Sequence, residues 1–232
     1  MPESKPTQKC KQCGTCCRKS SPSFHKEDKP LIDKGIIPSK HLFTIRKGEP
    51  AYDNVKDGEN VKGMLVPVTT DIIKIKGKGT SWTCFFLDEK DNSCSIYQNR
   101  PVECRVLKCW NTREIEQIYA KNRLSREDLL SQVNGLWSLV TEHQDKCSYE
   151  KLKRLADTAQ KDINGVAGKS ILEMIRYDVH LRKIVVEKGG LDSGMIEFLF
   201  GRPLPKTIHG FGLGVANNLT SLHLLDAQQQ LF

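Results

Sequence analysis

Four of the nine cysteines fall within eight residues, Cys10-Lys-Gln-Cys13-Gly-Thr-Cys16-Cys17, and four more follow at Cys84, Cys94, Cys104 and Cys109. A free buried cysteine behaves as a small isolated hydrophobe and gains nothing from such crowding, so the run reads as a metal site. Its first three members have the spacing with which bacterial ferredoxins present three thiolates to one cluster, a remote cysteine completing the set. Gly14 permits the sharp bend that such wrapping needs. If the chain is extended at Cys16 and Cys17, their side chains leave on opposite sides, to serve different metals or to divide ligation from packing.

At 232 residues the chain can bury a sizeable core in one domain or divide into two modest ones. No apolar stretch approaches the eighteen residues of a membrane span, and the polar start, Met1 to Lys9, has no apolar signal region. The expected setting is the cytoplasm, with no membrane contact. In a reducing compartment nine cysteines read as metal ligands or redox groups, and an odd number cannot pair fully as disulfides.

The net charge of +8 sits in the cysteine half: residues 1–110 hold twenty Lys and Arg against thirteen Asp and Glu, and residues 111–232 hold sixteen against fifteen. A nucleic-acid footprint is one explanation. Compensation of thiolate charge suits the placement better, with Lys9, Lys11, Arg18 and Lys19 beside the first run and Arg100, Arg105 and Lys108 beside the second. Arg18, Arg100 and Arg105 are the candidate cofactor contacts.

Between the cysteine sets, residues 24–60 read as loop, with prolines at 30, 38 and 50 and a polar stretch from Asp53 to Asn60. Met64 to Val68 and Ile72 to Ile75 alternate at period two, and Thr69-Thr70-Asp71 can turn between them, which predicts a short hairpin. Lys76 to Thr80, with Gly77 and Gly79, reads as a turn. Arg100-Pro101 followed by Glu103 marks a helix start that places Cys104 in the first turn, where orphan amides favour a thiolate. Cys109 lies about 140° further round an ideal helix, so both reach one metal only if the helix ends between them.

The second half is helical. Ser125-Arg-Glu-Asp128 resembles a capping box leading into an apolar face through Leu129, Leu130, Val133, Leu136, Trp137 and Val140, interrupted by Gly135. Further helices are expected from Ser148 to Ala159, from about Lys169 to Glu187, and over Met195 to Phe200. Cys147 falls outside both cysteine sets and is expected to pack, and His25 is a loop histidine near the first run. Gly165 to Ser170 is too short for a phosphate loop, and Gly210-Phe-Gly212-Leu-Gly214 follows prolines rather than a strand.

The ordered set C-x2-C-x2-C-C, C-x-F-L, C-S-I-Y and R-P-x-x-C-R with one further Cys resembles the YkgJ-type cysteine-cluster family of zinc- or iron-chelating domains, over roughly residues 10–110. The resemblance implies a metal centre built from Cys10, Cys13, Cys16, Cys17, Cys84, Cys94, Cys104 and Cys109. A similar motif occurs in flagellin lysine methylases, longer proteins to which an iron-sulfur cluster is attributed, and it supplies no reaction for this chain.

Zinc takes four cysteines, commonly as two C-x2-C knuckles, and only the first half of such a pair is present. Eight thiols with a ferredoxin-like opening fit an iron-sulfur cluster better, 4Fe-4S above all. The expectation is therefore an α+β protein. A cysteine-rich metal-binding region with a small hairpin (1–110) packs on a helical region (111–232), and an iron-sulfur cluster serves a redox or group-transfer reaction, as in an oxidoreductase. The alternatives are a zinc-stabilised module that binds nucleic acid or a protein partner, and a metal carrier or assembly factor. Loops this polar have little core of their own, so the metal is expected to contribute folding energy.

Overall fold

The computed structural model describes residues 10–53, 64–218 and 221–226. The expectations for Met1 to Lys9 and for residues 54–60 lie outside these.

The chain begins with two single-turn helices, α1 (Thr15–Lys19) and α2 (Lys29–Asp33). Strands β1 (Leu42–Ile45), β2 (Pro50–Tyr52), β3 (Leu65–Pro67) and β4 (Ile72–Ile75) follow. Helices α3 (Val102–Val106), α4 (Arg113–Ile118), α5 (Arg126–Leu130), α6 (Leu136–Lys146), α7 (Tyr149–Ala159), α8 (Val166–Glu187), α9 (Ile196–Phe200) and α10 (Leu204–Thr207) fill most of the rest. A ribbon of β5 (Leu213–Asn218) and β6 (Ser221–Asp226) comes last. The class is α+β, with small antiparallel strand pairs and the helices concentrated in the C-terminal half.

Two strand expectations are corrected. Strands 65–67 and 72–75 exist, but they do not pair with each other. β4 pairs with β1, Leu42 opposite Ile75, and β3 pairs with β2, Pro50 opposite Pro67. The two pairs share one register, so they are two legs of a single ribbon bent at residues 46–49 and 68–71, where the Gly48 amide donates to the Val68 carbonyl at 2.8 Å. Accordingly residues 24–53 are not loop throughout: they supply α2, β1 and β2 and the fully buried Phe24, Ile37 and Leu42. Elements of three to five residues are too short for periodicity to register.

The first apolar cluster joins the ribbon to the helices. Leu42, Ile73 and Ile75 meet Phe24, Leu124, Leu130, Val140, Phe198, Leu199 and Phe200, and Cys84 is buried among them. Each such side chain contributes about 1.5–3 kcal/mol by leaving water. The second cluster packs α7 on α8 through Leu152, Ala156, Ile171, Met174 and Ile175, and closes with Leu204, Ile208, Leu213 and Leu224. Along α8 the buried residues are Ala167, Gly168, Ile171, Met174, Ile175, Asp178, Arg182 and Val185, one stripe at helical spacing that carries a charged pair.

The capping box forms as expected: Ser125 Oγ accepts from the Asp128 amide, and the Asp128 carboxylate accepts from the Ser125 amide at 2.9 Å. The helix does not run on to Val140. Gly135 adopts φ 77°, a left-handed conformation that separates α5 from α6. Ser148 caps α7 by accepting from the Lys151 amide, and Gly165 precedes α8, which makes Gly165 to Ser170 a helix start. The glycine run at 210–214 leads into β5, a strand that its residues did not announce.

Candidate metal centre

Three short segments carry the cysteines. In the first, the Gln12 amide donates to Cys10 Sγ at 3.4 Å, with Gln12 itself at φ 53°. Gly14 follows at φ 70°, a left-handed backbone that favours glycine. Cys16 and Cys17 then sit in α1, not on extended chain, and leave it about 100° apart. The second segment is a chain of tight turns bridged at Gly77 to Cys84 and at Leu87 to Cys94. In the third, Pro101 is the N-cap of α3 and Val102 its first residue, which leaves Cys104 in the first turn. The helix ends at Val106, before Cys109, as sharing one metal requires.

Named hydrogen bonds draw the segments together. The Cys84 amide donates to the Cys17 carbonyl at 2.7 Å. Arg18 donates from Nη1 to the Cys13 carbonyl at 3.1 Å and from Nη2 to Asn92 Oδ1, strapping the first run to the turn before Cys94. Arg105 donates to the Arg100 carbonyl at 2.8 Å and lies 3.9 Å from the buried Asp28 carboxylate. Arg100 stacks on Tyr97 at 3.6 Å. Lys108 pairs with Glu114, and Lys9 lies outside the described residues.

The thiols are polarised. Cys13 is lowered by hydrogen bonding from Thr15, whose hydroxyl is 3.2 Å away. Cys16 falls to about 6, first through a hydrogen bond from Cys17 and in part through the charge of Arg100. Cys17 is raised in turn by donating to Cys16, by burial and by the charges of Cys16, Cys84 and Cys104. Burial raises Cys84 and Cys104, and each is raised further by Cys94 and Cys16. Cys16, Cys17, Cys84, Cys94 and Cys104 therefore occupy one another's field, with Cys13 beside Cys16. Cys10 and Cys109 are exposed. Thiols that repel as anions and cannot all ionise at neutral pH are the donor chemistry that a bound cation relieves.

His25 is not a free donor. Its Nδ1 meets the Lys121 carbonyl at 2.8 Å and its Nε2 the Glu103 carboxylate at 3.2 Å.

Residues 9–124, half of the sequence, match the model of the CxxCxxCC family, whose description reads "Putative zinc- or iron-chelating domain". The chain belongs to the CxxCxxCC family. Metal binding through its cysteines follows at that level, in agreement with the resemblance drawn from the motifs. No curated protein and no solved structure matches the chain. The CxxCxxCC domain thus ends at about Leu124, the fully buried residue whose amide donates to the Phe24 carbonyl at 3.0 Å.

A different group has the tightest potential ligand geometry. Among the described residues, the one set of three His, Cys, Asp or Glu donor atoms lying mutually within 4.8 Å is that of His143, Cys147 and Asp178, all buried. No three of the described CxxCxxCC thiols lie this close to one another. Cys147 packs as expected, fully buried in the second apolar cluster, and it belongs to this group as well. His143 and Cys147 are four residues apart at the end of α6, a spacing that can be read, but Asp178 joins them only through the packing of α8.

Proposed function

We propose that the CxxCxxCC domain holds an iron-sulfur cluster of the 4Fe-4S type and uses it in a redox or group-transfer reaction. The observation that carries this reading is the 2.7 Å hydrogen bond from the Cys84 amide to the Cys17 carbonyl, which joins the ferredoxin-like opening to the later cysteines. More thiols share this field than the four that a closed zinc site uses. Bound there, a cluster would supply one-electron chemistry. Within the protein, Cys13 and Cys16 are disposed to ionise first, Arg100 lends positive charge beside Cys16, and Cys17 and Cys84 hold the inner wall against the apolar cluster.

Purification without oxygen tests it. The expected product is brown, contains iron and acid-labile sulfide in equal amounts, and loses its visible absorbance on oxidation. A colourless protein with stoichiometric zinc overturns it. The exposure of Cys10, Cys13, Cys16 and Cys109 favours a second reading, a metal carrier whose ion passes to an acceptor, for which an added chelator would remove the metal within minutes.

A further inference from the structure

The buried group on α6 and α8 has an unsatisfied atom. His143 Nε2 lies 2.7 Å from Asp178 Oδ1, and that carboxylate also accepts from Arg182 Nε at 2.8 Å and, through Oδ2, from the Leu204 amide at 2.9 Å. Nε2 is therefore the protonated nitrogen, and Nδ1 keeps a bare lone pair. It is fully buried without a hydrogen-bond partner. An orphaned acceptor in a dry core costs about 1–3 kcal/mol. One helical turn on, the Cys147 thiol is fully buried too, and its one hydrogen bond among the described residues is to the Met174 carbonyl at 3.9 Å.

A carboxylate that fixes one ring nitrogen while the other is free is how proteins orient an imidazole toward a metal. We propose that His143 and Cys147 form a second metal site, separate from the cysteine domain, for a single Cu(I) ion, with Asp178 holding the imidazole in place.

Two considerations select the ion. Asp178 is committed to three donors, which leaves one nitrogen and one sulfur; zinc wants four ligands, whereas a soft d10 monocation is content with two, of which thiolate is the preferred kind. Charge agrees. The neighbouring Arg46 is fully buried, donates from Nη1 to the Cys147 carbonyl at 3.1 Å, and leaves Nε and Nη2 unbonded. Among the described residues no carboxylate ion-pairs with it. When Cu(I) replaces the thiol proton, which leaves to solvent, the charge of the core is unchanged. A dication would add positive charge beside an unpaired guanidinium. Because the site is closed, loading requires local opening of α6 against α8.

The test uses the full chain carrying its resident metal. Copper(I) is titrated without oxygen against bathocuproine disulfonate, and bound copper is counted for wild type, Cys147→Ser and His143→Gln. Wild type is expected to hold one more tightly bound copper than either variant, and loading should shift the His143 ring 15N resonances. Iron or zinc on the cysteine domain should be the same in all three, which separates this result from the fate of the proposed cluster. Cys147→Ser is nearly isosteric and tests the site even if His143→Gln fails to fold. Equal copper in wild type and Cys147→Ser, or binding of zinc but not copper at this site, overturns the proposal.

Discussion

Each half of the molecule buries one histidine against one carboxylate, and the two pairs are tuned in opposite directions. Within the CxxCxxCC domain, His25 meets Glu103 at 3.2 Å; burial alone would lower it, but the bond and charge of Glu103, the Lys121 carbonyl and Asp28 outweigh this and raise it. In the helical core, His143 meets Asp178 at a shorter 2.7 Å, yet burial prevails and the imidazole falls to about 4. Distance to the partner does not decide. What differs is first the depth of burial, the largest influence on both and greater at His143, and then the surrounding charge: a second carboxylate stands near His25, whereas Arg46 and Arg182 crowd His143. One region is built to bring anionic groups together, and the other is closed around cations.

Breaking the core pair should have the largest effect. Asp178→Ala leaves Arg182 buried without its carboxylate and removes acceptors from His143 and the Leu204 amide, so a loss of about 3–5 kcal/mol is expected in urea unfolding. A loss under about 1 kcal/mol would show that the network is not what locks α8 to α6 and α10.

The next effect is acid sensitivity in copper-free protein. The unfolded imidazole titrates near 6.5 and the folded one near 4, so between these values only the unfolded chain takes up the proton. Stability from His143 is complete above about pH 6.5 and declines as pH falls toward 4, by about 3 kcal/mol in all. Unfolding midpoints measured across that range check it, and His143→Gln should flatten the slope.

A third measurement separates the regions by what holds them. Cys13→Ser is expected to lose the metal of the CxxCxxCC domain and to speed amide exchange in α1 and around Cys84 and Cys94, with α7 and α8 unaffected. Cys147→Ser should leave that metal in place. Equal loss in both variants would mean that the ligand set has been drawn wrongly.

What the sequence disclosed follows the same division. The cysteine spacing identified the family, and capping residues located α5 and α7, because a metal motif and a helix start are both local signals. The strand partners were not local. Residues 65–67 and 72–75 carried a strand pattern, but their pairing with residues 50–52 and 42–45 depends on the bend at 46–49, where the buried Glu49 accepts from the Arg46 amide at 3.1 Å. Asp178 was likewise invisible as a partner of His143, since an acid in a helical stripe looks like an exposed residue until another helix covers it. His25 lay near the cysteines in sequence, but its role depends on Glu103 and Lys121, some eighty to a hundred residues away.

The smallest effect isolates His25. Its folded pKa is raised, so between about 6.5 and that higher value the folded chain holds a proton which the unfolded chain has released. Its contribution is complete below pH 6.5 and is lost as pH rises through the folded value, the reverse of His143. In His25→Gln an amide can still donate to Glu103, so that contact is retained while the titration is removed. Unfolding midpoints compared at about pH 6 and about pH 8 should show a decline in wild type that is absent from His25→Gln, with the acid-side slope preserved. If the decline persists in the variant, the alkaline sensitivity belongs to another group, and the opposed tuning of the two histidines is not what sets the pH range of the fold.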